Sequence, residues 1–246
     1  MANDRKLAVI TGGTKGIGRA ISEHLAAVGY DLAISYASDE TAARETEEAI
    51  HRAGGDAIVV KADVRSRQGV EELFAKAATR FGAPYAVIAN AVIENVQAPF
   101  SEMTEDDLDR VINTNFKGTF FTLQQAARLL VDGGRVIATA SQIAVLPPPR
   151  SGAYAGTKAA VRTMIEVLSL ELGPRGITVN SLNPGPVEGA GIFSRITEEQ
   201  RAEFLKITPM RRLPQPQDLV GAVEFLLSDN AHLISGHHLA VTAGFR

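Results

Sequence analysis

Short apolar runs rich in β-branched residues alternate with longer segments of helical periodicity along almost the whole chain of 246 residues. The predicted strands are Leu7–Thr11, Asp31–Tyr36, Ala57–Lys61, Tyr85–Asn90, Arg135–Ala140, Ile177–Leu182 and His238–Thr242. The predicted helices lie between them, at Gly18–Val28, Glu40–Ala53, Gly69–Arg80, Glu105–Leu130, Ala153–Leu172, Glu198–Leu205 and Gln217–Leu227. Continuous apolar strands that alternate with helices are typical of a parallel sheet covered on both faces. We therefore predict an α/β fold: a single doubly wound domain over residues 1–246, with a seven-stranded parallel sheet flanked by helices on both faces.

Composition excludes several classes of protein. The chain has no cysteine, so it has no disulfide framework, thiolate metal site or cysteine nucleophile, and we expect no metal. Its 25 basic and 28 acidic residues leave a net charge of −3, and no basic cluster is interleaved with aromatics, so we expect no nucleic-acid partner. The longest apolar runs fall far below the roughly 18 residues that span a bilayer, and the N-terminus has no apolar signal segment. We expect a cytoplasmic protein without a membrane partner.

A glycine-rich segment follows the first predicted strand. Gly12, Gly16 and Gly18 stand between that strand and the first predicted helix. Glycines at such a turn let the backbone approach a pyrophosphate, whose charge is stabilised by free N–H groups at the helix start. The alternative is an ordinary glycine turn, but three glycines in this strand–turn–helix setting favour dinucleotide binding.

The end of the second predicted strand bears on which dinucleotide is bound. Enzymes that prefer NAD usually have Asp or Glu there, whereas this strand ends in Ser35, Tyr36, Ala37 and Ser38. An acid would repel the 2′-phosphate of NADP, so its absence permits NADP. Lys15 could attract that phosphate and the two serines could donate hydrogen bonds, although Lys15 could also be a solvated loop residue.

Tyr154 and Lys158 lie four residues apart in a predicted helix, and therefore on one helix face. A free phenol, with a pKa of about 10, is a poor proton donor at neutral pH, but a neighbouring ammonium favours its ionised form. Tyr154 then becomes a usable general acid or base toward a ketone or alcohol oxygen, and Ser141 could donate a second hydrogen bond to that oxygen. Such a pair alone is also a common surface combination; its position at the expected crevice of the sheet gives it weight.

Several segments together match one family. The chain resembles the classical short-chain dehydrogenase/reductases over nearly its whole length, in the glycine loop from Thr11 to Gly18, Asn90-Ala91, Asn115-Phe116-Lys117-Gly118, Ser141, Tyr154-xxx-Lys158 and Asn183-Pro184-Gly185. Within that family it is most similar to 3-oxoacyl-carrier-protein reductases and related ketoreductases, by the end of the second strand and the run from Arg175 to Asn180.

The resemblance implies a Rossmann fold and hydride transfer with a nicotinamide cofactor. The end of the second strand favours NADPH over NAD as that cofactor. Tyr154 would be the acid or base, Ser141 would orient the substrate carbonyl, and Lys158 would bind the nicotinamide ribose and tune Tyr154. Asn115 would hold a water in a proton relay to Lys158, although it could instead be a turn or capping residue. The predicted cofactor contacts are Gly12, Thr14, Lys15, Gly16, Ile17, Gly18, Ser35, Tyr36, Ser38, Asp63, Val64, Asn90, Ala91, Tyr154, Lys158, Pro184, Gly185 and Val187.

Three positions depart from the family pattern. Val92 replaces the glycine that usually follows Asn-Ala, and valine cannot adopt the left-handed conformations open to glycine. Either the loop is shifted or cofactor affinity is reduced. Glu188 replaces a threonine, and its carboxylate is unfavourable beside a pyrophosphate unless it points away. The usual Asp-Gly-Gly near the C-terminus reads Thr242-Ala243-Gly244.

Substrate selection is expected from three loops, Val92–Phe100, Gln142–Ser151 and Pro186–Pro209. Their apolar residues would line the pocket: Ile143, Val145, Leu146, Ile192 and Phe193. Arg150 and Arg195 could meet an anionic substrate, or could be solvated. Arg175 is compatible with a carrier protein, whereas Asp132 argues against one.

Three hypotheses follow. The first is NADPH-dependent reduction of a ketone to a secondary alcohol, on a 3-oxoacyl thioester, a polyketide-like compound or another small carbonyl. The second is NAD-dependent alcohol oxidation, and the third is a non-catalytic nicotinamide sensor on the same scaffold. The resemblance implies a homotetramer formed through the long fourth and fifth helices. Apolar faces on these helices could also simply belong to the core; they come from Phe120, Phe121, Leu123, Met164, Ile165 and Leu168.

Overall fold

A computed structural model describes residues 5–93 and 97–245. Seven strands form one parallel sheet in the order β3-β2-β1-β4-β5-β6-β7. The strands are β1 Lys6–Thr11, β2 Tyr30–Tyr36, β3 Ala57–Lys61, β4 Ala86–Ala89, β5 Arg135–Thr139, β6 Thr178–Pro184 and β7 His238–Val241. The predicted fold class is therefore confirmed, and each predicted strand lies within two residues of its observed ends.

The helices follow the predicted alternation. They are α1 Gly16–Ala27, α2 Glu40–Arg52, α3 Arg67–Phe81, α4 Glu105–Val111, α5 Thr119–Leu129, α6 Gly152–Leu172, α7 Glu198–Ile207 and α8 Pro216–Leu227. The prediction of one continuous helix over Glu105–Leu130 is wrong, because a π-helical segment, Ile112–Gly118, separates α4 from α5. Apolar periodicity does not reveal the extra residue per turn that a π-helix inserts, and such segments frequently mark functional sites.

The core lies in two layers, one on each face of the sheet. Along β1, Leu7 and Val9 pack into one layer while Ala8 and Ile10 pack into the other. Successive side chains of a strand point to opposite faces, so this strand is apolar throughout because both of its faces are covered.

Most of the residues considered for an oligomer contact pack in or against the core of the monomer. Leu123, Ile165 and Leu168 are buried in the monomer, and Phe121 and Met164 pack partly against the same core. Only Phe120 of that set is exposed. The other five therefore pack in or against the core, which is the alternative that helical spacing alone left open.

The strand ends define where a site can form. Strand order reverses between β1 and β4, where Thr11 is paired with Ala89, and ligands of open parallel sheets bind outside the carboxyl ends at such a point. β5 ends beside β6 in the same region, with Thr139 paired to Leu182. Within the described residues, no helix is both long and apolar enough to cross a membrane.

Candidate active site

The glycine loop is held against the end of β2. Gly12 has φ of +64°, a conformation that favours glycine, and its amide donates to Ser35 Oγ at 3.2 Å. The amide of Gly13 donates to the Ser35 carbonyl oxygen at 3.1 Å. Ser35 is fully buried, so its hydroxyl supports the loop from behind. The sequence-based role for that hydroxyl, a hydrogen bond to the cofactor, stays a prediction.

The start of α1 fits an anionic ligand. Its N-cap residue, Lys15, makes no side-chain capping bond, which leaves the first N–H groups of the helix for another acceptor. A side chain at Gly18 would collide with the Gly12 carbonyl oxygen and would lie 2.6 Å from Asn90 Nδ2. Close packing within the loop therefore requires glycine at this position, with Thr14 buried in the loop and Ile17 half-buried.

Asn90 ties three strand ends together. Its Nδ2 donates to the Gly12 carbonyl oxygen at 3.1 Å, and its Oδ1 accepts from Thr139 Oγ1 at 3.1 Å. Thr11 Oγ1 accepts from the amides of Asn90 and Ala91 at 3.1 and 3.3 Å. These bonds connect the ends of β1, β4 and β5, so Asn90 shapes the floor of the crevice.

The predicted catalytic groups lie at the same edge of the sheet. Tyr154 is in the first turn of α6 and is buried, and Lys158 Nζ lies 5.8 Å from the centre of its ring. Lys158 is only 2% exposed and donates to the Thr139 carbonyl oxygen at 2.6 Å. Ser141 follows the end of β5 by two residues, is half-buried, and its Oγ accepts from the Ile143 amide at 3.2 Å. A buried ammonium beside a phenol is the arrangement that favours the ionised phenol.

Asn115 occupies the middle of the π-helical segment and is fully buried. Its Oδ1 accepts from the Ile93 amide at 2.9 Å, and its Nδ2 donates to the Ile93 carbonyl oxygen at 2.8 Å and to Thr157 Oγ1 at 3.4 Å. The side chain thus holds the chain that leaves β4 and reaches the helix that carries Tyr154. This positioning contact could not be read from the sequence, and the family-based water relay stays a prediction.

A carboxylate that the sequence reasoning missed lies between the end of β2 and the start of α2. Asp39 caps α2 by accepting from the Ala42 amide at 3.0 Å, and it forms an ion pair with Lys15. The Ala42 hydrogen bond and the Lys15 ammonium hold the pKa of Asp39 below its usual value. Ser38 is exposed and Tyr36 half-buried beside this pair. A capping signal, Asp before a helical run that starts with Glu, could have located Asp39.

Comparisons with known proteins place the chain in a family. The family described as enoyl-(acyl carrier protein) reductase matches residues 12–246. A solved short-chain dehydrogenase/reductase from Serratia marcescens superposes with a TM-score of 0.92 at 30% identity, over 100% of this chain and 99% of that one. The chain belongs to the short-chain dehydrogenase/reductase family.

Two further relatives carry more specific names. Versicolorin reductase stcU from Emericella nidulans is 35% identical over 253 residues, which cover 98% of this chain and 96% of the relative. A putative dehydrogenase from Burkholderia cenocepacia, solved with bound NADP, superposes with a TM-score of 0.92 at 28% identity, over 99% of this chain and 94% of that one. This short-chain dehydrogenase/reductase is therefore an oxidoreductase by family.

The structure shows the surroundings of the residues that depart from the family pattern. Glu188 Oε1 accepts from Arg201 Nε of α7 at 2.5 Å, so its carboxylate is directed toward a guanidinium. Val92 is 37% exposed, and its φ is not positive, so the branched side chain causes no left-handed strain. Ala243 does have a left-handed φ of +52°. Residues 94–96 of the first substrate loop lie outside the described residues.

The remaining predicted cofactor residues lie around the crevice. Val64 is buried against the position of Gly118, and the guanidinium of Arg65 lowers the pKa of the half-buried Asp63 through a 2.5 Å ion pair. Pro184 and Val187 are buried, and the Gly185 amide donates to the Val241 carbonyl oxygen at 3.1 Å.

Arg175, considered for carrier recognition, and Arg150, considered for substrate binding, lie in different parts of the molecule. Arg175 lies before β6, at the amino edge of the sheet, where it pairs with Asp132 at 2.7 Å and donates to carbonyl oxygens at the end of α5. It is therefore remote from the carboxyl-edge crevice, and this geometry does not favour a role in carrier recognition. Arg150 is exposed in the loop before α6 with φ of +70°.

Proposed function

We propose that this short-chain dehydrogenase/reductase reduces a ketone to a secondary alcohol with NADPH. The observation that carries the proposal is the grouping of Tyr154, Lys158 and Ser141 at one edge of the sheet, beside an uncapped helix start that suits a pyrophosphate. Candidate substrates are a 3-oxoacyl thioester, a polyketide-like ketone or another small carbonyl compound.

The cofactor would be held by the amides at the start of α1, by the glycine loop and by Lys158. When bound, it supplies the hydride that the carbonyl carbon receives. Tyr154 donates its phenolic proton to the carbonyl oxygen, so the ketone gains one hydride and one proton. Lys158 stabilises the phenolate that remains, and Ser141 donates a hydrogen bond that orients the carbonyl.

Replacement of the phenol tests this mechanism. Tyr154→Phe keeps the ring and removes the proton donor, so we expect kcat to fall about 100-fold or more while NADPH binding is retained. Tyr85→Phe is the matched control, because Tyr85 lies at the opposite edge and its hydroxyl donates to the Leu227 carbonyl oxygen at 3.3 Å. A Tyr154→Phe variant as fast as wild type would overturn the role of Tyr154.

The assay should include carbonyls and a conjugated alkene. A 3-oxoacyl thioester, small ketones and a 2-enoyl thioester can be offered with NADPH, and the products identified by mass spectrometry. A secondary alcohol supports the proposal, and reduction of the carbon–carbon double bond alone contradicts it. Nicotinamide binding without turnover of any compound would favour the sensor hypothesis.

NAD is the second candidate cofactor, and Asp39 is the observation that favours it. Its carboxylate pairs with Lys15, the cation that would attract a 2′-phosphate. Asp39→Ser keeps a capping hydroxyl for α2 and removes the charge, so we expect the ratio of kcat/KM with NADPH to that with NADH to rise. An unchanged ratio would show that the pair does not lie near the 2′ position.

We also propose that the protein assembles as a homotetramer. The outward faces of the π-helical segment, α5 and α6 expose Phe116, Phe120, Val167 and Leu170, the last at 79%. Exposed apolar surface of this kind favours burial against a second copy. Light scattering of wild type and Leu170→Asp tests the proposal, since the charge should lower the measured mass.

A further inference from the structure

A row of side chains along α6 connects the candidate active site to the last two strands. Tyr154, Lys158, Arg162 and Glu166 follow one another at intervals of four, so they form a continuous row on the helix surface. Lys158 donates to the Thr139 carbonyl oxygen of β5, Arg162 reaches Asn183 of β6, and Glu166 reaches His238 of β7. Each step along the row therefore contacts the next strand of the sheet.

The side-chain amide of Asn183 defines the direction of this contact. With Nδ2 toward Ser181, it donates to Ser181 Oγ at 2.8 Å and to the Leu182 carbonyl oxygen at 3.3 Å, while its Oδ1 accepts from Arg162 Nη1 at 2.7 Å. In the reverse orientation, Nδ2 would face the guanidinium, donor against donor. The orientation that satisfies both neighbours is the one expected for a buried amide.

The rest of the chain of hydrogen bonds follows from that orientation. Ser181 Oγ accepts from Asn183 and can then donate only onward, to His238 Nδ1 at 2.7 Å. When Ser181 donates its proton to His238 Nδ1, the Nε2 proton of the imidazole is donated to Glu166 Oε1 at 2.8 Å. This Nε2-protonated tautomer gives each donor of the hydrogen-bond chain one acceptor.

We propose that His238 is a positioning residue for the reduction, through a hydrogen-bond chain formed by Arg162, Asn183, Ser181, His238 and Glu166. The chain holds Asn183, and with it the adjacent Pro184, against the helix that carries Tyr154 and Lys158. Asn183 and Ser181 are fully buried, so neither group can exchange its partner for bulk water. The inference rests on the proposed function, because it assigns a role in the same site.

The opposite tautomer of the imidazole would reverse the chain of hydrogen bonds. With a proton on Nδ1, His238 would donate to Ser181, Ser181 would donate to Asn183 Oδ1, and the amide would turn its Nδ2 toward Arg162. The charged groups that face the chain are Arg162 and Glu166 of α6, whereas β6 contributes the neutral Ser181 and Asn183.

Nitrogen-15 NMR of histidine-labelled protein tests the direction of the hydrogen-bond chain and does not depend on turnover. The resonance that disappears in His238→Gln should report protonated Nε2 and unprotonated Nδ1 at neutral pH. The neighbouring His237→Asn is the matched control, since His237 is exposed. A proton on Nδ1 at neutral pH would overturn the proposal. If the wild type reduces no ketone, the proposed function fails. The NMR measurement still shows whether the hydrogen-bond chain has the direction proposed here.

Kinetics tests the positioning role. His238→Ala and Ser181→Ala should each lower kcat about tenfold with KM for the ketone within about twofold, because misalignment of bound groups affects the chemical step. His238→Gln offers an acceptor and a donor, so it should restore kcat. Wild-type kcat in His238→Ala, or a kcat in His238→Gln as low as that of His238→Ala, would overturn the proposal.

Discussion

Replacement of Asn115 by alanine should destabilise the protein by an amount that the geometry allows us to work out. The substitution removes two short bonds, 2.9 Å from the Ile93 amide and 2.8 Å to the Ile93 carbonyl oxygen. Each loss leaves a backbone group without its partner and costs about 1 to 2 kcal/mol, so we expect the free energy of unfolding to fall by about 2 to 4 kcal/mol. Catalysis should fall as well, because Ile93 follows Asn90 on the floor of the crevice.

Equilibrium urea unfolding measures this loss. With a slope of roughly 2 to 3 kcal/mol per molar, the midpoint should move down by about 1 M. Asn113→Ala is the matched control, since Asn113 is only half-buried two residues earlier. Asn115→Asp keeps an acceptor, removes the donor and buries a charge, so it should be at least as harmful as alanine. A loss below about 0.5 kcal/mol in Asn115→Ala, or a loss equal to that of the control, would refute the reasoning.

Three further outcomes are expected. Gly18→Ala should abolish cofactor binding, measured by nicotinamide fluorescence, because the new methyl group collides with the Gly12 carbonyl oxygen; binding at wild-type affinity would contradict the close packing. Ala243→Gly should raise the free energy of unfolding by up to about 1 kcal/mol, since it relieves a left-handed alanine, and a destabilised variant would contradict that strain. Arg65 lowers the pKa of Asp63, so the stability it contributes is present above the ordinary pKa of about 4 and is lost as pH falls through the folded-state value. The unfolding free energies of wild type and Arg65→Gln should accordingly differ at pH 6 and converge near pH 2, whereas a constant difference would count against the pair.

The elements that sequence patterns predicted well are local ones. The glycine loop between β1 and α1 was predictable because a tight turn and a helix start impose residue types on a few consecutive positions. Tyr154 and Lys158 were predictable as neighbours because helical spacing alone brings them to one face. The strands were predictable because burial on both faces makes each an unbroken apolar run.

Other features depended on residues far apart in the chain. Asp39 was missed because its pairing with Lys15 arises only when the end of β2 and the glycine loop are side by side. The partner of Glu188 was unknown because Arg201 comes from α7, and nothing in the spacing of the two residues indicates contact.

One local feature was missed as well. The π-helical segment could not be predicted because apolar periodicity does not reveal one extra residue in a turn.

Residue order and type thus determined the class of fold, the order of strands and helices, and the group of residues that could carry the chemistry. Only the packed structure decided which buried hydroxyl, amide and carboxylate groups meet: Ser35 behind the glycine loop, Asn115 on Ile93, and Asn183 between Arg162 and Ser181. The reason is physical. Apolar patterning acts through averages over many residues, whereas a buried polar group must find one partner within hydrogen-bond distance, and that partner is chosen by the three-dimensional packing of distant segments.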